Sequence, residues 1–261
     1  MTISNRPYPV AFVGAGPSDP ELITRKGWWI LGQADFVLYD ALIDVEGFRE
    51  AAPRARWINV GKRLGRISTA QPFISKSLVN LALRGYRVVR LKGGDPTIFG
   101  RLTEEVEACR SAGLDITIVP GVTAASACAT ELGISLTQRG VSRSVTLLTP
   151  RVSQSGALSE DWVSTALLSD TVVLYMAGAE LSAVAQALLI RGKNPKTPVA
   201  IIESAGRAVK KTALTLRCCL DVAPETSGGP LTVLIGQVVA SAAEFQRRFD
   251  AQESGPIAQA Q

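Results

Sequence analysis

Residues 10–29, VAFVGAGPSDPELITRKGWW, run from an apolar segment through a glycine-containing loop into a more polar stretch. The apolar start predicts a buried strand, and Pro20 suits the first position of a helix that Asp19 or Ser18 can cap. Gly14 and Gly16 fit a dinucleotide-binding loop, but Asp19 takes the place of its third glycine, where a pyrophosphate would lie. The loop therefore fits a nucleotide-like ligand without a pyrophosphate, with an ordinary strand-to-helix turn as the alternative.

Strand-like and helical segments alternate beyond this loop. The strand-like segments are YPVAFVG, ADFVLYD, RWINVG, YRVVRL, DITIVP, SVTLLT, DTVVLYM, PVAIIES and PLTVLIG. Helical patterns lie between many of them, near 72–84, 102–112, 121–132, 160–168 and 179–191. This alternation predicts an α/β fold with mostly parallel sheets that are covered by helices. A polar, turn-rich segment near residue 150 separates an N-terminal α/β domain (1–143) from a C-terminal α/β domain (144–245), and a disordered tail (246–261) follows.

Composition narrows the possible chemistry. The 261 residues are 46% hydrophobic and include no histidine, which excludes a Ser-His-Asp triad and a histidine-ligated metal. The four cysteines lack C-x-x-C spacing, so we predict no metal site and no disulfide framework. The apolar run LTVLIGQVVASAAEF is too short to cross a bilayer, and the N-terminus lacks an apolar signal region. We therefore expect a cytoplasmic protein.

Positive charge is concentrated in one segment. The formal net charge is +5, and the stretch from Arg54 to Arg101 holds eleven Lys or Arg residues and a single acid, Asp95. A solvated surface, a nucleic-acid contact and a site for a small polyanion all fit this block. The aromatic residues within it stand mostly at apolar positions rather than where they would stack on bases, which makes the small polyanion a serious alternative to nucleic acid.

Five loop motifs follow predicted strands, and ligands of open α/β sheets bind beyond the carboxyl ends of the strands. The motifs are GAGPSDP at 14–20, YD at 39–40, VGKR at 60–63, LKGGDP at 91–96 and PGVTAAS at 120–126. Any one of them fits an ordinary turn as well as it fits a ligand-binding loop. Five together favour a ligand site, because glycine lets the backbone approach a ligand closely.

The order of these motifs resembles the tetrapyrrole methylase family over residues 8–240. LKGGDPTIFGR and PGVTAAS are the most specific elements, while YD and VGKR favour the uroporphyrinogen branch. The resemblance implies a homodimer whose two α/β domains enclose the active site in a cleft. It also implies C-methylation of uroporphyrinogen III at carbons 2 and 7 by S-adenosylmethionine, giving precorrin-2 for sirohaem or cobalamin synthesis and S-adenosylhomocysteine as co-product. No metal, nucleic acid or membrane takes part in that reaction.

The same resemblance assigns site residues position by position. It gives the catalytic roles to Asp40 and Lys62, with helix capping as the alternative for Asp40 and a contact with a substrate carboxylate as the alternative for Lys62. It gives cofactor binding to Pro17, Gly93, Gly94, Asp95, Ile98, Thr123, Ala124, Met176 and Ala205. Candidates for bidentate contacts with a polycarboxylate tetrapyrrole are Arg63, Arg66, Arg101, Arg139 and Arg151. Ser18, Ile67 and Gln138 depart from the family pattern, which affects substrate contacts more than cofactor contacts.

Four other functions stay open at this point. Within the family, the alternatives are a later precorrin methyltransferase and a methylase that acts on a protein or ribosomal RNA. An NAD-dependent oxidoreductase is disfavoured by the missing third glycine of the first loop. A nucleic-acid-binding module would explain the basic block but not the glycine loops.

Overall fold

The structure is a computed structural model that describes residues 7–17, 19–41, 43–61, 71–150, 161–178, 180–205, 209–222 and 229–253. The chain forms two compact units, Met1–Ala124 and Ala125–Gln261. Each unit contains a five-stranded sheet with helices. The α/β class predicted from the sequence is thereby confirmed.

The sheet of the first unit is entirely parallel. Its strands are Val10–Gly14 (β1), Phe36–Tyr39 (β2), Arg56–Asn59 (β3), Val88–Lys92 (β4) and Ile116–Val119 (β5), in the order β3-β2-β4-β1-β5. Its helices are Arg25–Leu31 (α1), Glu46–Arg49 (α2), Gln71–Leu83 (α3) and Leu102–Ser111 (α4). Parallel strands need crossover connections, and these helices provide several of them.

Two apolar layers enclose this sheet. Ala11 and Val13 of β1 pack on one face with the cluster that includes Phe48, whereas Val10 and Phe12 pack on the other face. Burial on both faces explains why β1 appears in the sequence as a continuous apolar run rather than an alternating one.

The sheet of the second unit is mixed. Its strands are Val145–Leu148 (β6), Thr171–Tyr175 (β7), Pro198–Glu203 (β8), Lys210–Thr215 (β9) and Leu231–Gly236 (β10), in the order β6-β7-β10-β8-β9. Its helices are Ala124–Leu132 (α5), Asp161–Leu168 (α6), Leu181–Ile190 (α7) and Ala243–Glu253 (α8). Only β6 and β7 pair in parallel, and the other three pairs are antiparallel. The prediction of a mostly parallel sheet is therefore wrong for this unit. The connection from β8 to β9 is too short for a crossover, which makes that pair antiparallel.

The division between the units lies earlier than residue 143, because α5 interacts with the second sheet. The backbone N–H of Ala125 donates to Tyr175 Oη at 3.1 Å, and Lys211 of β9 donates to the carbonyl of Glu131. At the other end of the chain α8 continues to Glu253, so residues 246–253, assigned to the tail by the sequence, are helical.

The helix predicted to begin at Pro20 is confirmed only in part. Asp19 accepts from the N–H of Glu21 at 2.9 Å, as a cap should, but the turn it begins at Pro20 is a short 3-10 helix. The α-helix starts at Arg25, where Thr24 caps it by accepting from the N–H of Gly27. Nowhere in the described ranges does a helix have the length and apolar composition that a bilayer crossing requires.

Candidate active site

All five strands of the first sheet end at the same edge because they run in parallel. The segments that follow them therefore meet there, as the sequence predicts. They begin after Gly14, Tyr39, Asn59, Lys92 and Val119. This edge is called the carboxyl edge below.

Three of these loops pack backbone against backbone. Gly16 and Gly94 exchange two hydrogen bonds, with N···O distances of 3.2 and 2.8 Å. A Cβ atom on Gly14 would lie 2.6 Å from Gly121 Cα, and one on Gly121 would lie 2.3 Å from the Gly94 carbonyl oxygen. Such distances are below any tolerable contact, so glycine is required at positions 14 and 121 for the loops to meet at all.

Asp95 ties two of the loops together. Its Oδ1 accepts from the N–H of Thr97 at 2.7 Å and from the Thr97 hydroxyl at 2.5 Å. Its Oδ2 accepts from the N–H of Gly121 at 3.0 Å. The carboxylate thus fixes the turn of its own loop and joins it to the loop after β5.

The three packed loops form a base, and the backbone of Gly93 and Gly94 is open on its surface. Among the described residues, a Cβ atom on Gly93 would meet only Ile43 Cγ1, at 4.0 Å, and one on Gly94 only the Val122 carbonyl oxygen, at 4.0 Å. Position 94 favours glycine because its φ is +66°, whereas the backbone conformation of Gly93 lies outside the left-handed region. Neither the backbone conformation nor packing against the described residues therefore explains the glycine at position 93. The other cofactor-binding positions assigned in this unit are half-buried at the same edge, namely Pro17, Ile98, Thr123 and Ala124.

A buried ion network lies behind the open loop. Arg90 and Lys92 of β4 and Glu105 of α4 are 2%, 2% and 1% exposed. Arg90 Nε lies 3.2 and 3.3 Å from the two Glu105 carboxylate oxygens, and Lys92 Nζ lies 3.0 Å from Glu105 Oε2. Gln71 Nε2 also donates to Glu105, at 3.0 Å. Burial and the neighbouring Arg90 charge lower the pKa of Lys92.

Asp40 forms the accessible end of this network. Arg90 Nη2 donates to Asp40 Oδ1, and the N–H of Gly93 donates to Asp40 Oδ2 at 3.3 Å. The Asp40 side chain is 32% exposed, whereas that of Arg90 is 3% exposed. The carboxylate thus lies beside the open backbone of Gly93. Its catalytic role stays a prediction from the sequence.

The basic block of the sequence does not form a single surface. Arg90 and Lys92 are inside the unit, and Arg87 pairs with Asp35 at 3.2 Å. Arg101 has a φ of +53°, and its guanidinium is bound to both carboxylate oxygens of Glu104 at 2.9 and 2.7 Å. Four residues assigned from the sequence lie outside the described residues, namely Lys62, Arg63, Arg66 and Arg151.

The remaining assigned positions belong to the second unit. Met176 follows β7 and Ala205 lies just after β8, and these strands point the same way because both are antiparallel to β10. Met176 is 64% exposed with a φ of +56°, and Ser204, just before Ala205, has a φ of +54°. Non-glycine residues rarely adopt such angles, which cluster at functional sites. Arg139 is exposed in a turn elsewhere in this unit.

Sequence reasoning missed the roles of Arg90, Lys92 and Glu105. The signal was present in RVVRLK, since two cations two residues apart face the same side of a strand that is otherwise apolar. In a sheet covered on both faces such cations must be buried, and buried ions need partners.

The family profile described as Tetrapyrrole (Corrin/Porphyrin) Methylases matches residues 9–217, which include all five loops of the carboxyl edge. The chain belongs to the tetrapyrrole methylase family. The family resemblance of the motifs is thereby confirmed, and the glycine loops are those of a methylase.

Curated members of the tetrapyrrole methylase family that match this chain include siroheme synthases. Siroheme synthase 1 of Yersinia enterocolitica (serotype O:8 / biotype 1B) is 42% identical over 230 residues, covering 88% of this chain and 48% of the relative. The siroheme synthase of Tolumonas auensis is 39% identical over 236 residues, covering 89% and 50%. The chain thus spans about half the length of the curated relatives it matches.

Solved structures of other methylases share the fold. Uroporphyrin-III C-methyl transferase from Thermus thermophilus, complexed with S-adenyl homocysteine, is 34% identical with a TM-score of 0.75, over 88% of this chain and 98% of that one. Cobalt precorrin-4 methyltransferase is 26% identical with a TM-score of 0.77, over 88% and 95%.

The sheet order of this methylase also argues against the dinucleotide-binding alternative. In the dinucleotide fold the first two strands are neighbours and form one βαβ unit around the glycine loop. Here β4 lies between β1 and β2.

Proposed function

We propose that this chain is a uroporphyrinogen III C-methyltransferase. It would transfer methyl groups from S-adenosylmethionine to carbons 2 and 7 and give precorrin-2, for sirohaem or cobalamin synthesis. The observation that carries the proposal is the open backbone of Gly93 and Gly94, supported on a base of three glycine loops. The Thermus relative with bound S-adenyl homocysteine supports the choice of cofactor.

The loop chemistry suits this cofactor. S-adenosylmethionine has no pyrophosphate, so Asp19 and Asp95 do not repel it as they would a dinucleotide. The exposed backbone of Gly93 carries no side chain, so the cofactor can approach it closely. We assign cofactor contacts to Pro17, Gly93, Gly94, Ile98, Thr123 and Ala124, and on the resemblance alone to Met176 and Ala205. The resemblance assigns a cofactor contact to Asp95 as well, and its carboxylate also holds the loops, because its two oxygens accept hydrogen bonds from Thr97 and Gly121.

Methyl transfer to carbon depends mainly on alignment of nucleophile, methyl group and sulfur, and holding reactants in line lowers the barrier strongly. The electron-rich pyrrole attacks, and a proton later leaves the ring system. Asp40 would accept that proton or stabilise the cationic intermediate, because its carboxylate is the accessible member of the network. Lys62 is proposed as a second proton-handling group.

The substrate is a polycarboxylate, which suits arginine. Arg139 is exposed, and Arg101 would exchange its Glu104 partner for a substrate carboxylate. Arg63, Arg66 and Arg151 remain candidates for contacts with the substrate carboxylates.

A later precorrin methylase is the second candidate function, favoured by the fold similarity to cobalt precorrin-4 methyltransferase. Uroporphyrinogen III and precorrin substrates, offered separately with labelled S-adenosylmethionine, distinguish the two by which one gains the label.

Calorimetric titration tests the cofactor. We expect S-adenosylmethionine and S-adenosylhomocysteine to bind and NAD to release no heat. Binding of NAD in place of either sulfur compound would refute the proposed chemistry.

Replacing Asp40 by Asn tests its catalytic role. The change keeps the size but removes the charge, so we expect kcat to fall by about 10²–10⁴-fold, the typical contribution of general acid–base catalysis. Affinity for S-adenosylmethionine should stay within about twofold. Asp35→Asn is the matched control, because Asp35 also pairs with an arginine but lies at the opposite end of β2. Equal effects of the two substitutions on kcat would remove Asp40 from the reaction.

A further inference from the structure

Glu105 is a buried carboxylate to which the proposed chemistry gives no role. It lies in the first turn of α4 with 1% exposure and accepts from groups on two other elements, Gln71 of α3 and both cations of β4. Negative charge is favourable near a helix N-terminus. Glu105 is thus the point where two helices and the central strand β4 are joined by hydrogen bonds.

The contacts of Arg90 show what this carboxylate controls. Arg90 Nε faces Glu105, and Nη1 donates to the carbonyls of Leu38 and Leu91 at 3.4 and 3.1 Å. Nη2 then points at Asp40. Because the guanidinium is planar and rigid, fixing Nε and Nη1 fixes the direction of Nη2. The orientation of the Asp40 carboxylate therefore depends on where Glu105 holds the guanidinium.

Charge balance points to the same residue. Among the described residues the network contains two cations, Arg90 and Lys92, and two carboxylates, Glu105 and Asp40. Removal of the Glu105 charge would leave Asp40 as the one carboxylate of this network for both cations. The network also borders the loop after β4 that contains Gly93, since a Cβ atom on Gly100 of that loop would lie 3.1 Å from Lys92 Cε.

Stability alone is a weak reason for such an arrangement, because buried ion pairs are often no more stabilising than apolar residues of the same volume. We infer that Glu105 is a positioning residue for methyl transfer, acting through Arg90 to hold Asp40 at the carboxyl edge. The inference rests on the proposed function, in which Asp40 contacts the reacting substrate.

Glu105→Gln tests this assignment. It keeps the size and one acceptor but removes the charge, and we expect kcat to fall by about 10–100-fold, since a displacement of about 1 Å at a catalytic group can cost that much. The dissociation constant of S-adenosylmethionine and the KM of the tetrapyrrole should stay within about twofold. Glu107→Gln, an exposed carboxylate on the same helix, is the matched control and should leave kcat unchanged.

A double-mutant cycle separates positioning from a general structural effect. If Glu105 acts through Asp40, Glu105→Gln should cost no further activity once Asp40 is Asn. An equal loss in both backgrounds would overturn the inference. Glu105→Asp keeps the charge but shortens the reach, so it provides a second test if Glu105→Gln does not fold. A folded Glu105→Asp with normal kcat would also overturn it.

The outcomes separate this inference from the proposed function. Normal kcat in Glu105→Gln, together with a large loss in Asp40→Asn, overturns only the role of Glu105. Normal kcat in Asp40→Asn overturns the role of Asp40 and, with it, that of Glu105. A wild-type protein that transfers no methyl group to any tetrapyrrole overturns both proposals.

Discussion

Gly93→Ala is the sharpest test of the cofactor site, because nothing in the described part of the chain requires glycine at this position. Among the described residues the added methyl group would meet only Ile43 Cγ1, at 4.0 Å, which is an ordinary van der Waals contact. The backbone of Gly93 lies outside the left-handed region, so alanine fits without strain. A glycine-to-alanine change at such a site typically stabilises by about 0.4–1 kcal/mol, since the unfolded chain loses freedom. We therefore expect an unchanged or slightly higher melting temperature.

Binding should respond in the opposite direction. A methyl group inserted into a closely packed contact typically costs about 1–3 kcal/mol. If the cofactor lies against the Gly93 backbone, its affinity should fall by about five-fold to more than a hundred-fold. Calorimetry with S-adenosylhomocysteine measures this directly, and thermal denaturation of the same sample without ligand measures the stability.

Gly113→Ala is the control for the substitution itself. Gly113 also has open space around it, but its φ is +72° and it lies in the turn before β5, at the edge opposite the loops. Alanine there should cost about 1–2 kcal/mol in stability and leave affinity unchanged. The two variants thus have opposite signatures. Normal affinity in a stable Gly93→Ala protein would refute the placement of the cofactor on this backbone.

Two further predictions follow from Asp95 and from the cysteines. Asp95→Ala leaves the N–H groups of Thr97 and Gly121 without their acceptor, so stability should fall by about 1.5–3 kcal/mol and S-adenosylmethionine should bind about ten- to a hundred-fold more weakly. Thermal denaturation and calorimetry check both, and loss of affinity at full stability would mean direct cofactor contact instead. Burial raises the pKa of Cys109 to about 11 and of Cys128 and Cys219 to about 12, so at pH 8 a thiol reagent should label Cys218 alone until denaturant exposes the rest. Because these pKa values are higher in the folded state, the free energy of unfolding should fall as pH rises above about 9, and a flat profile would contradict their burial.

The sequence predicted most clearly the strands that are buried throughout, such as β1 and β8, because a strand buried on both faces is an uninterrupted apolar run. An uninterrupted apolar run does not show in which direction the strand runs. PVAIIE and LTVLIG are equally apolar, and nothing in either segment shows that β8 and β10 run antiparallel. The segment KKTALT was missed as a strand because its first residues are polar and lie at the edge of the sheet.

The site was predictable where its residues are constrained locally. Glycine loops after strands can be recognised because the backbone requirement is local. The Glu105 network could not be found in this way, since its members come from two helices and a strand, and the spacing of Arg90 and Lys92 indicates burial without naming the partner. Asp95 was assigned a ligand contact from the resemblance. The short link from its carboxylate to Thr97, two residues on, is a turn signal that was available in the sequence.

The close contact among Gly14, Gly94 and Gly121 has a consequence for assembly of the first unit. These residues come from three separate segments that meet only when β1, β4 and β5 stand side by side. A fragment that lacks one of the three strands therefore lacks one of the three segments of this base. Ligand binding therefore reports on the completed sheet, and a ligand that recognises this base favours the folded unit as a whole over partly folded chains.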